Sequence, residues 1–287
     1  MKTWLRALAL IALAGLATLA VALGWLKMHE DQLVFEAARS RTQRDGPLPA
    51  GAEPIGLPEA AGGLLPGILM RAAAAHDTGY WVLHLHGNAD SAFSAGQLRH
   101  CAALRALGLN VLSFDYRGFG PSPGVPSEAH VEEDAEAAYH ALLRRGVPAD
   151  HLILWGHSLG TGPAVYLASR HRAAALVLFG AFTSIPDVAA DQYPLLPVRG
   201  LVGIHFDSLA RIAMVHMPVI IAHSRFDRVI PLPHAERLYA AARAPKWLLV
   251  LDDPPTDGLG GHVDALYDHL DALTPELRAL TGAAIGR

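Results

Sequence analysis

From residue 80 onward, short uninterrupted apolar runs alternate with longer segments of helical pattern, and this alternation restricts the fold more than any other feature. Apolar runs of this length are typical of parallel strands that are buried on both faces. Helical segments between such strands imply right-handed crossovers and a mostly parallel, doubly wound sheet of the α/β class. The predicted strands are Trp81–Leu85, Val111–Phe114, Leu152–Trp155, Leu176–Phe179, Val219–Ala222 and Trp247–Leu251.

Two of the intervening segments have a clear helical pattern. One runs from about Ser91 to Leu107 and places Cys101 on its apolar face, so this cysteine is predicted to pack in the core. The other follows Ser127, a residue that favours the N-cap position, and carries an apolar stripe that ends at Leu142. Both fit the connections that a doubly wound sheet requires.

Two regions of the chain depart from the alternation. A stretch rich in proline and glycine precedes Tyr80, and its apolar pieces Ile55–Leu57 and Gly67–Met70 are predicted as short antiparallel edge strands. Residues Ser184–Arg211 contain three prolines and no clean period. We interpret them as an insertion over the carboxyl edge of the sheet, where folds of this class bind ligands.

Composition excludes several classes of function. The chain has 287 residues and a formal net charge of −4, and no basic run or basic helix face, so no nucleic-acid partner is expected. Its single cysteine cannot form an internal disulfide. No Cys/His cluster has zinc spacing, and no glycine-rich segment completes a dinucleotide fingerprint. We therefore expect neither a metal nor an organic cofactor.

The N-terminus resembles a membrane anchor. Lys2 and Arg6 precede an uncharged stretch from Ala7 to Leu26, which matches the roughly 20 residues that an α-helix needs to cross a bilayer. Trp25 and Lys27 stand where interfacial residues are expected. We therefore predict a signal anchor over residues 1–30 and a single α/β domain over residues 31–287.

The basic residues before this stretch favour a cytoplasmic N-terminus and an α/β domain in the periplasm or outside the cell. Arg39, Arg41 and Arg44 after the stretch weaken that orientation. The alternative is a secreted protein, because Ala20-Val21-Ala22 fits a signal-peptidase cleavage site. The apolar run is longer than the core of most signal peptides, which favours the anchor.

The strongest chemical motif is Gly156-His157-Ser158-Leu159-Gly160, a G-x-S-x-G sequence. It follows the predicted strand Leu152–Trp155 directly and precedes a helical segment that ends near Arg170. A sharp strand–turn–helix setting of this kind exposes a nucleophilic serine and needs glycines where backbone segments approach each other. The motif predicts Ser158 as a nucleophile, and an ordinary glycine-rich turn is the alternative.

A serine hydroxyl is a weak nucleophile at neutral pH, so it needs a base and an acid that orients the base. In this setting the acid and the histidine follow the serine along the chain. Asp227, just after the strand Val219–Ala222, is predicted as the acid, and His262 as the base. The rival acids are Asp252, Asp253 and Asp257, and the rival bases are His223, His234 and His269.

The negative oxygen formed during acyl transfer needs two backbone N–H donors. We assign one to Leu159, the residue after the nucleophile, and the other to Asn88 in the loop after Trp81–Leu85, with Ala89 as the near alternative. Asp115 and Arg117 lie in a turn at the end of a strand. We interpret both as structural residues that hold nearby loops.

These motifs make the chain similar to the α/β-hydrolases from roughly Leu33 to the C-terminus. The segments that carry the resemblance occur in the family's order: His86-Gly87-Asn88-Ala89, Asp115-Tyr116-Arg117-Gly118-Phe119-Gly120, Gly156-His157-Ser158-Leu159-Gly160, Asp227 and Gly261-His262. The asparagine after His-Gly, the short insertion and the N-terminal anchor resemble most the membrane-anchored α/β-hydrolase-domain proteins. One departure is the stretch from Asp252 to Gly261, which is longer than the usual turn and leaves open how His262 approaches Ser158.

Some members of that group act as acyl-protein thioesterases. The resemblance implies a serine hydrolase that cleaves esters or thioesters of a small-molecule or lipid-like acyl substrate, with an acylated protein as a further candidate partner. A serine peptidase or an acyltransferase with the same residues is the first alternative, because a triad does not define the leaving group or the acceptor. A non-catalytic, membrane-anchored binding module is the second.

Overall fold

A computed structural model describes residues 2–40, 48–59, 62–243, 245–252, 258–259, 261–262 and 270–281. Its strands form one mixed sheet in the order β1-β2-β4-β3-β5-β6-β7-β8. The strands are β1 (Ala52–Pro58), β2 (Leu64–Met70), β3 (Trp81–Leu85), β4 (Asn110–Phe114), β5 (Leu152–His157), β6 (Ala175–Phe179), β7 (Val219–Ser224) and β8 (Lys246–Leu251). β3 to β8 pair in parallel, which confirms the predicted mostly parallel α/β sheet.

The α-helices of the described residues are α1 (Lys2–Met28), α2 (Glu30–Val34), α3 (Ala37–Ser40), α4 (Ala95–Ala106), α5 (Glu128–Arg144), α6 (Thr161–Arg170), α7 (Ile185–Gln192), α8 (Ser208–Ile212), α9 (Pro233–Ala241) and α10 (Thr274–Thr281). The predicted cap of α5 is present, because the Ser127 side chain accepts from the backbone N–H of His130. Helix α4 begins later than expected, since Ser94 rather than Ser91 caps it.

The two predicted edge strands differ in position. β1, which contains Ile55–Leu57, lies at the edge of the sheet and pairs antiparallel with β2. β2, which contains Gly67–Met70, also pairs antiparallel with β4, so it is an interior strand and not an edge strand. Its last residues are buried because they are covered on both sides, which a short apolar run alone does not distinguish from an edge position.

Side chains of the central strands alternate between two apolar layers, one on each face of the sheet. Leu83, Leu154 and Leu178 belong to one layer, and Val82, Ile153 and Val177 to the other. This is the expected result for strands in which successive residues point to opposite faces and both faces are covered. The uninterrupted apolar runs therefore have a direct structural cause.

The chain order of the strands reverses between β3 and β5. From β3 the chain crosses through α4 to β4 on one side, and then returns through α5 to β5 on the other side. The carboxyl ends of β3 and β5 border this switch point, where open α/β sheets hold ligands. The loop after β3 and the turn after β5 are thereby brought next to each other.

The insertion predicted over Ser184–Arg211 follows β6 at the carboxyl edge and is more regular than its sequence pattern indicates. It contains α7, a 3-10 turn over Val198–Gly200 and the start of α8. Ser184 caps α7 by accepting from the N–H of Asp187. Leu195 and Leu196 between these elements are exposed to solvent.

Helix α1 contains the whole uncharged stretch Ala7–Leu26 of the predicted anchor. Within the part of the chain that the structure describes, no helix meets the length and apolar content required to cross a membrane. The anchor is therefore still a prediction.

The layer that contains Val82 and Ile153 also contains a group of buried histidines. His84, His100 and His157 are each less than 5% exposed, and the rings of His84 and His100 lie 5.2 Å apart. Burial lowers the pKa of His157 to about 4 and the pKa of His100 to about 3, and it places the pKa of His84 well below 6.5. All three are neutral in the folded protein at neutral pH.

These histidines predict a loss of stability in mild acid. Below pH 6.5 the unfolded chain takes up protons that the buried rings do not accept until the pH approaches their folded pKa values. Stability is therefore fully present above pH 6.5 and is lost as the pH falls towards about 4. The contribution of one such ring is about 3 kcal/mol, since each pKa unit corresponds to about 1.4 kcal/mol.

The measurement is the free energy of unfolding between pH 4 and 8, by urea denaturation. His100→Leu should flatten this dependence, whereas His76→Leu, at an exposed position, should leave it unchanged. An identical pH dependence in His100→Leu and the original protein would contradict the prediction.

Candidate active site

Ser158 stands on a sharp turn between β5 and α6. Its φ of +50° is left-handed, which is unfavourable for a residue with a side chain and is common at reactive serines on such turns. The turn depends on Gly160, because a Cβ at that position would lie 2.0 Å from the carbonyl oxygen of Leu85 in β3. The glycine lets the turn pack directly against the end of the neighbouring strand. This local structure corresponds to the predicted strand–turn–helix setting.

Of the three side chains predicted to react together, Ser158 and Asp227 each lie within hydrogen-bond distance of His262. His262 Nε2 lies 2.8 Å from Ser158 Oγ, and His262 Nδ1 lies 2.7 Å from Asp227 Oδ2. All three residues are at most 8% exposed. Asp227 is itself held by the N–H groups of Val229 and Ile230, which donate to its Oδ1 at 2.8 and 2.9 Å. With Nδ1–H bonded to Asp227, Nε2 can accept the hydroxyl proton of Ser158.

His262 is held in place by contacts from three elements. Besides Asp227 after β7, the His157 Nε2 lies 2.9 Å from the carbonyl oxygen of His262, and neutral His157 can donate there. Gly180 after β6 leaves room for the ring, since a Cβ there would lie 3.2 Å from His262 Cε1. Of the long stretch before His262, residues 253–257 and 260 lie outside the described residues.

His157 is a residue that the sequence reasoning did not assign. It occupies the variable position before Ser158 in the motif, where no residue type is required, so the motif carried no signal for it. Its bond to the main chain of His262 can be found only once the fold places the end of β5 beside the loop after β8. We describe it as a positioning residue.

The described rival residues have other partners, although His223 Nε2 also lies 3.4 Å from Asp227 Oδ2. His223 Nε2 bonds to the carbonyl oxygen of Ile230 at 2.7 Å, and His234 Nε2 bonds to Asp191 at 2.9 Å. Asp252 is exposed and pairs with Arg225. The other rivals, Asp253, Asp257 and His269, lie outside the described residues.

The loop predicted to supply the second N–H donor lies against the serine turn. A Cβ on Gly87 would come within 3.3 Å of Ser158 Cβ and 3.0 Å of His157 Nδ1, so the backbone before Asn88 passes directly over the nucleophile. Leu159, the other predicted donor, is buried in the turn after Ser158. Both predicted donors therefore belong to backbone segments that border Ser158.

Asp115 organises the loop that contains Asn88. This fully buried carboxylate accepts from the N–H of Ala92 at 2.7 Å and from Ser91 Oγ at 2.9 Å, and it lies 3.3 Å from His86 Nε2. Burial opposes the charged form of His86, but the contact with Asp115 outweighs it and raises the pKa of His86. Such contacts agree with the structural interpretation of Asp115.

Arg117 connects the end of β4 to α5. Its side chain is mostly buried and donates to Asp134 at 2.7 Å, to Glu133 at 2.7 Å and to the carbonyl oxygen of His130 at 3.1 Å. Its backbone N–H also donates to Asp134 at 2.7 Å. These contacts agree with a structural role for Arg117 as well.

Away from Ser158, the described residues contain a single group with the side chains of a metal site: Glu136, His140 and His171. His171 Nε2 already bonds to both carboxylate oxygens of Glu136, at 2.7 and 2.8 Å. The Arg170 guanidinium lies 3.7 Å from the same carboxylate. A neighbouring positive charge disfavours a cation there.

Cys101 is buried, and burial raises the pKa of its thiol to about 12, which fits the predicted packing role.

Comparison with known proteins gives a consistent family assignment. Residues 80–198 match the family model described as the alpha/beta hydrolase fold. An uncharacterized protein of Mycobacterium tuberculosis is 36% identical over 247 residues, which cover 86% of this chain and 86% of that protein. The alpha/beta hydrolase domain-containing protein 17C of Xenopus tropicalis is 37% identical over 174 residues, or 56% of this chain and 50% of that protein. The match thus spans half of the frog protein.

Solved structures agree on the fold. An alpha-beta hydrolase from Vibrio vulnificus superimposes with a TM-score of 0.69 at 17% identity, covering 87% of this chain and 91% of that chain. The esterase domain of a Rhodothermus marinus protein gives a TM-score of 0.60 at 23% identity, covering 80% of this chain and 100% of that chain. At these identities the likeness concerns the fold alone.

Proposed function

The chain belongs to the α/β-hydrolase family, and from this premise we propose that it is a serine hydrolase that cleaves carboxylic esters or thioesters through an acyl-enzyme. The observation that carries the proposal is the continuous series of contacts from Ser158 Oγ through His262 to Asp227, at 2.8 and 2.7 Å. A serine on an ordinary glycine-rich turn has no need of a buried imidazole–carboxylate pair. The arrangement supports a nucleophile, a general base and an orienting acid.

The reaction proceeds in two steps, acylation of Ser158 and hydrolysis of the acyl-enzyme. Ser158 Oγ attacks the acyl carbonyl carbon while its proton passes to His262 Nε2, and the backbone N–H groups of Leu159 and Asn88 stabilise the negative oxygen. The imidazolium, paired with Asp227, then protonates the leaving alcohol or thiol as its bond to the acyl carbon breaks. Water, deprotonated by His262, attacks the acyl-Ser158 ester, and the carboxylic acid and free serine are released.

Esters and thioesters are our proposed substrate class, because the chain retains the residues that acyl transfer requires and similar structures include proteins described as esterases. A small-molecule or lipid-like acyl compound is the first candidate, and an acylated protein the second. A peptidase or acyltransferase would use the same three side chains and differs in the leaving group or acceptor. Comparing the hydrolysis of matched ester, thioester and amide substrates separates these activities.

For the N-terminal region we propose membrane attachment through residues 1–30, with the α/β domain outside the cytoplasm. The support is the uncharged stretch from Ala7 to Leu26 between basic and interfacial residues. If the protein is anchored, it should stay in the membrane pellet after extraction at alkaline pH. Release of a shortened chain into the soluble fraction would favour the secreted alternative.

The experiment that tests the enzymatic proposal is fluorophosphonate labelling of the full chain in membranes, combined with hydrolysis of p-nitrophenyl acetate. The original protein and a matched Ser169→Ala variant, altered on helix α6 that follows the Ser158 turn, should both be labelled and active. Ser158→Ala should lose labelling completely and lose hydrolysis by at least about 10³-fold, because it removes the attacking oxygen. Absence of labelling in the folded original protein would instead favour the binding-module hypothesis.

A further inference from the structure

The residues that follow α1 are bonded to the α/β domain at several points. Residues 30–40, which we call the N-terminal link, contain α2, an extended residue Phe35 and α3. Phe35, Ala37 and Ser40 are buried at 1–6% exposure, although the link consists of short elements. A segment that only connected an anchor to a domain would not need to bury these side chains.

The side-chain amide of Asn88 joins this link to the predicted oxyanion loop. Asn88 Oδ1 accepts from the backbone N–H of Glu36 at 2.8 Å, and Asn88 Nδ2 donates to the carbonyl oxygen of Val34 at 2.7 Å. Because one end of the amide accepts and the other donates, only one orientation of the side chain satisfies both bonds. The link thus holds the side chain of Asn88. Neither of these two bonds uses the Asn88 backbone N–H.

The loop needs support of this kind. Ala89, the next residue, has a left-handed φ of +55°, which is unfavourable for alanine and persists only where the surroundings hold it. The same loop lies on the serine turn, with a Cβ on Gly87 calculated to be 3.3 Å from Ser158 Cβ. A small rotation at residues 88 and 89 would therefore move the N–H relative to Ser158.

The link is fixed independently of Asn88 through three of its residues. The ring of Phe35 packs edge-on against Phe119 and Phe206, with centroid distances of 6.3 and 6.2 Å. Ser40 Oγ accepts from the N–H of Gly120 at 2.8 Å. Glu30 accepts from the N–H of Ile204 at 2.9 Å, which connects the link to the insertion. The link can therefore hold the loop rather than merely follow it.

We infer that the N-terminal link is a positioning element of the active site, which acts through the Asn88 side chain to keep the Asn88 backbone N–H directed at the developing oxyanion. This inference rests on the proposed hydrolase function. It means that residues 30–40, which follow α1, are needed for turnover. Cutting the chain after the link would then impair the catalytic step as well as release the domain.

The test removes the N–H that bonds to Asn88. Glu36→Pro removes this donor, and Phe35 already has the extended backbone that a residue before proline adopts. Glu36→Ala keeps the donor and loses the same side chain, so it is the matched control. Full-length variants are assayed in detergent with p-nitrophenyl acetate, and rates are divided by the concentration of sites titrated with fluorophosphonate.

Glu36→Pro should lower kcat about 10- to 100-fold and leave KM nearly unchanged, since a misdirected oxyanion donor affects the transition state more than substrate binding. Glu36→Ala should keep the original kcat. An unaltered kcat in folded Glu36→Pro overturns the inference while the hydrolase proposal stands. If the original protein neither labels nor hydrolyses, the proposed function itself fails.

A second variant decides the case in which Glu36→Pro does not fold. Asn88→Asp keeps the backbone N–H and the acceptor for Glu36, but it places a carboxylate oxygen against the carbonyl oxygen of Val34. It should show the same selective loss of kcat per titrated site. A kcat per titrated site equal to that of the original protein would show that the link affects only folding and would overturn the inference.

Discussion

Asp227→Asn should lower kcat about 10⁴-fold near neutral pH while the protein stays folded. The N–H groups of Val229 and Ile230 donate to Oδ1 of this residue, so the amide oxygen of the variant will take that position. Its NH₂ group then faces His262 Nδ1, where the carboxylate accepts a hydrogen bond from Nδ1–H in the original protein. The imidazole is forced to carry its proton on Nε2 and can no longer accept the proton of Ser158.

The matched control is Asp252→Asn, at a rival acid that is exposed and paired with Arg225. An exposed ion pair contributes little, so kcat should stay within about twofold of the original value. Initial rates with p-nitrophenyl acetate and the thermal midpoint of each variant provide the measurement. More than a tenth of the original kcat in folded Asp227→Asn would exclude Asp227 as the orienting acid.

Arg117→Leu should lower the free energy of unfolding by about 3–5 kcal/mol, the largest effect on stability that we expect from a single side chain outside the active site. The substitution leaves the carboxylate of Asp134, which is 1% exposed, without its charged partner. A buried and unpaired charge is far more costly than the loss of an exposed pair. Arg225→Leu, which breaks the exposed pair with Asp252, should leave the free energy of unfolding almost unchanged.

The double variant Arg117→Leu/Asp134→Asn tests the cause of this loss. Asparagine has no charge but can still accept from the backbone N–H of residue 117, as Asp134 does at 2.7 Å. Urea denaturation should show that the double variant regains at least half of the stability lost in Arg117→Leu. If it is no more stable than Arg117→Leu, the unpaired charge of Asp134 is not the cause, and the loss comes from packing or from Glu59, the other largely buried carboxylate, 3.3 Å from the Arg117 guanidinium.

The strands were the part of the fold that could be predicted most closely. Trp81–Leu85 has the predicted bounds, and the other parallel strands extend the predicted runs by one or two residues. Their prediction succeeded because burial on both faces demands an uninterrupted apolar run. The prediction that β2 is an edge strand was wrong. β2 also pairs with β4, and the local sequence pattern does not indicate this second pairing.

The helix α7 was missed although its sequence contains a start signal. Ser184 accepts from the N–H of Asp187, and Pro186 occupies a position in the first turn where its missing N–H costs nothing. From the sequence, this region showed only three prolines and no clean period, whereas one of these prolines lies in the first turn of a helix. The rest of the insertion is held by its contacts with other parts of the protein, which its sequence pattern does not show.

For the candidate site, the motif and the chain order of Ser158, Asp227 and His262 were sufficient to select these residues. They were selected because acyl transfer needs fixed residue types at the ends of particular strands. Their catalytic role is still a proposal, but the structure brings Ser158 and Asp227 each within 2.8 Å of His262. The sequence offered no comparable signal for His157 or for the side chain of Asn88.

The sequence by itself determined the alternation of strands and helices, the mostly parallel sheet and the residue types that can perform the chemistry, because each of these depends on local pattern. Only the tertiary structure decided which backbone segments hold those residues. The bond of His157 to the main chain of His262, and the bonds of Asn88 to residues 34 and 36, join parts of the chain that are 105 and about 50 residues apart. Contacts over such separations follow from the strand order and the packing of loops, which no local pattern records.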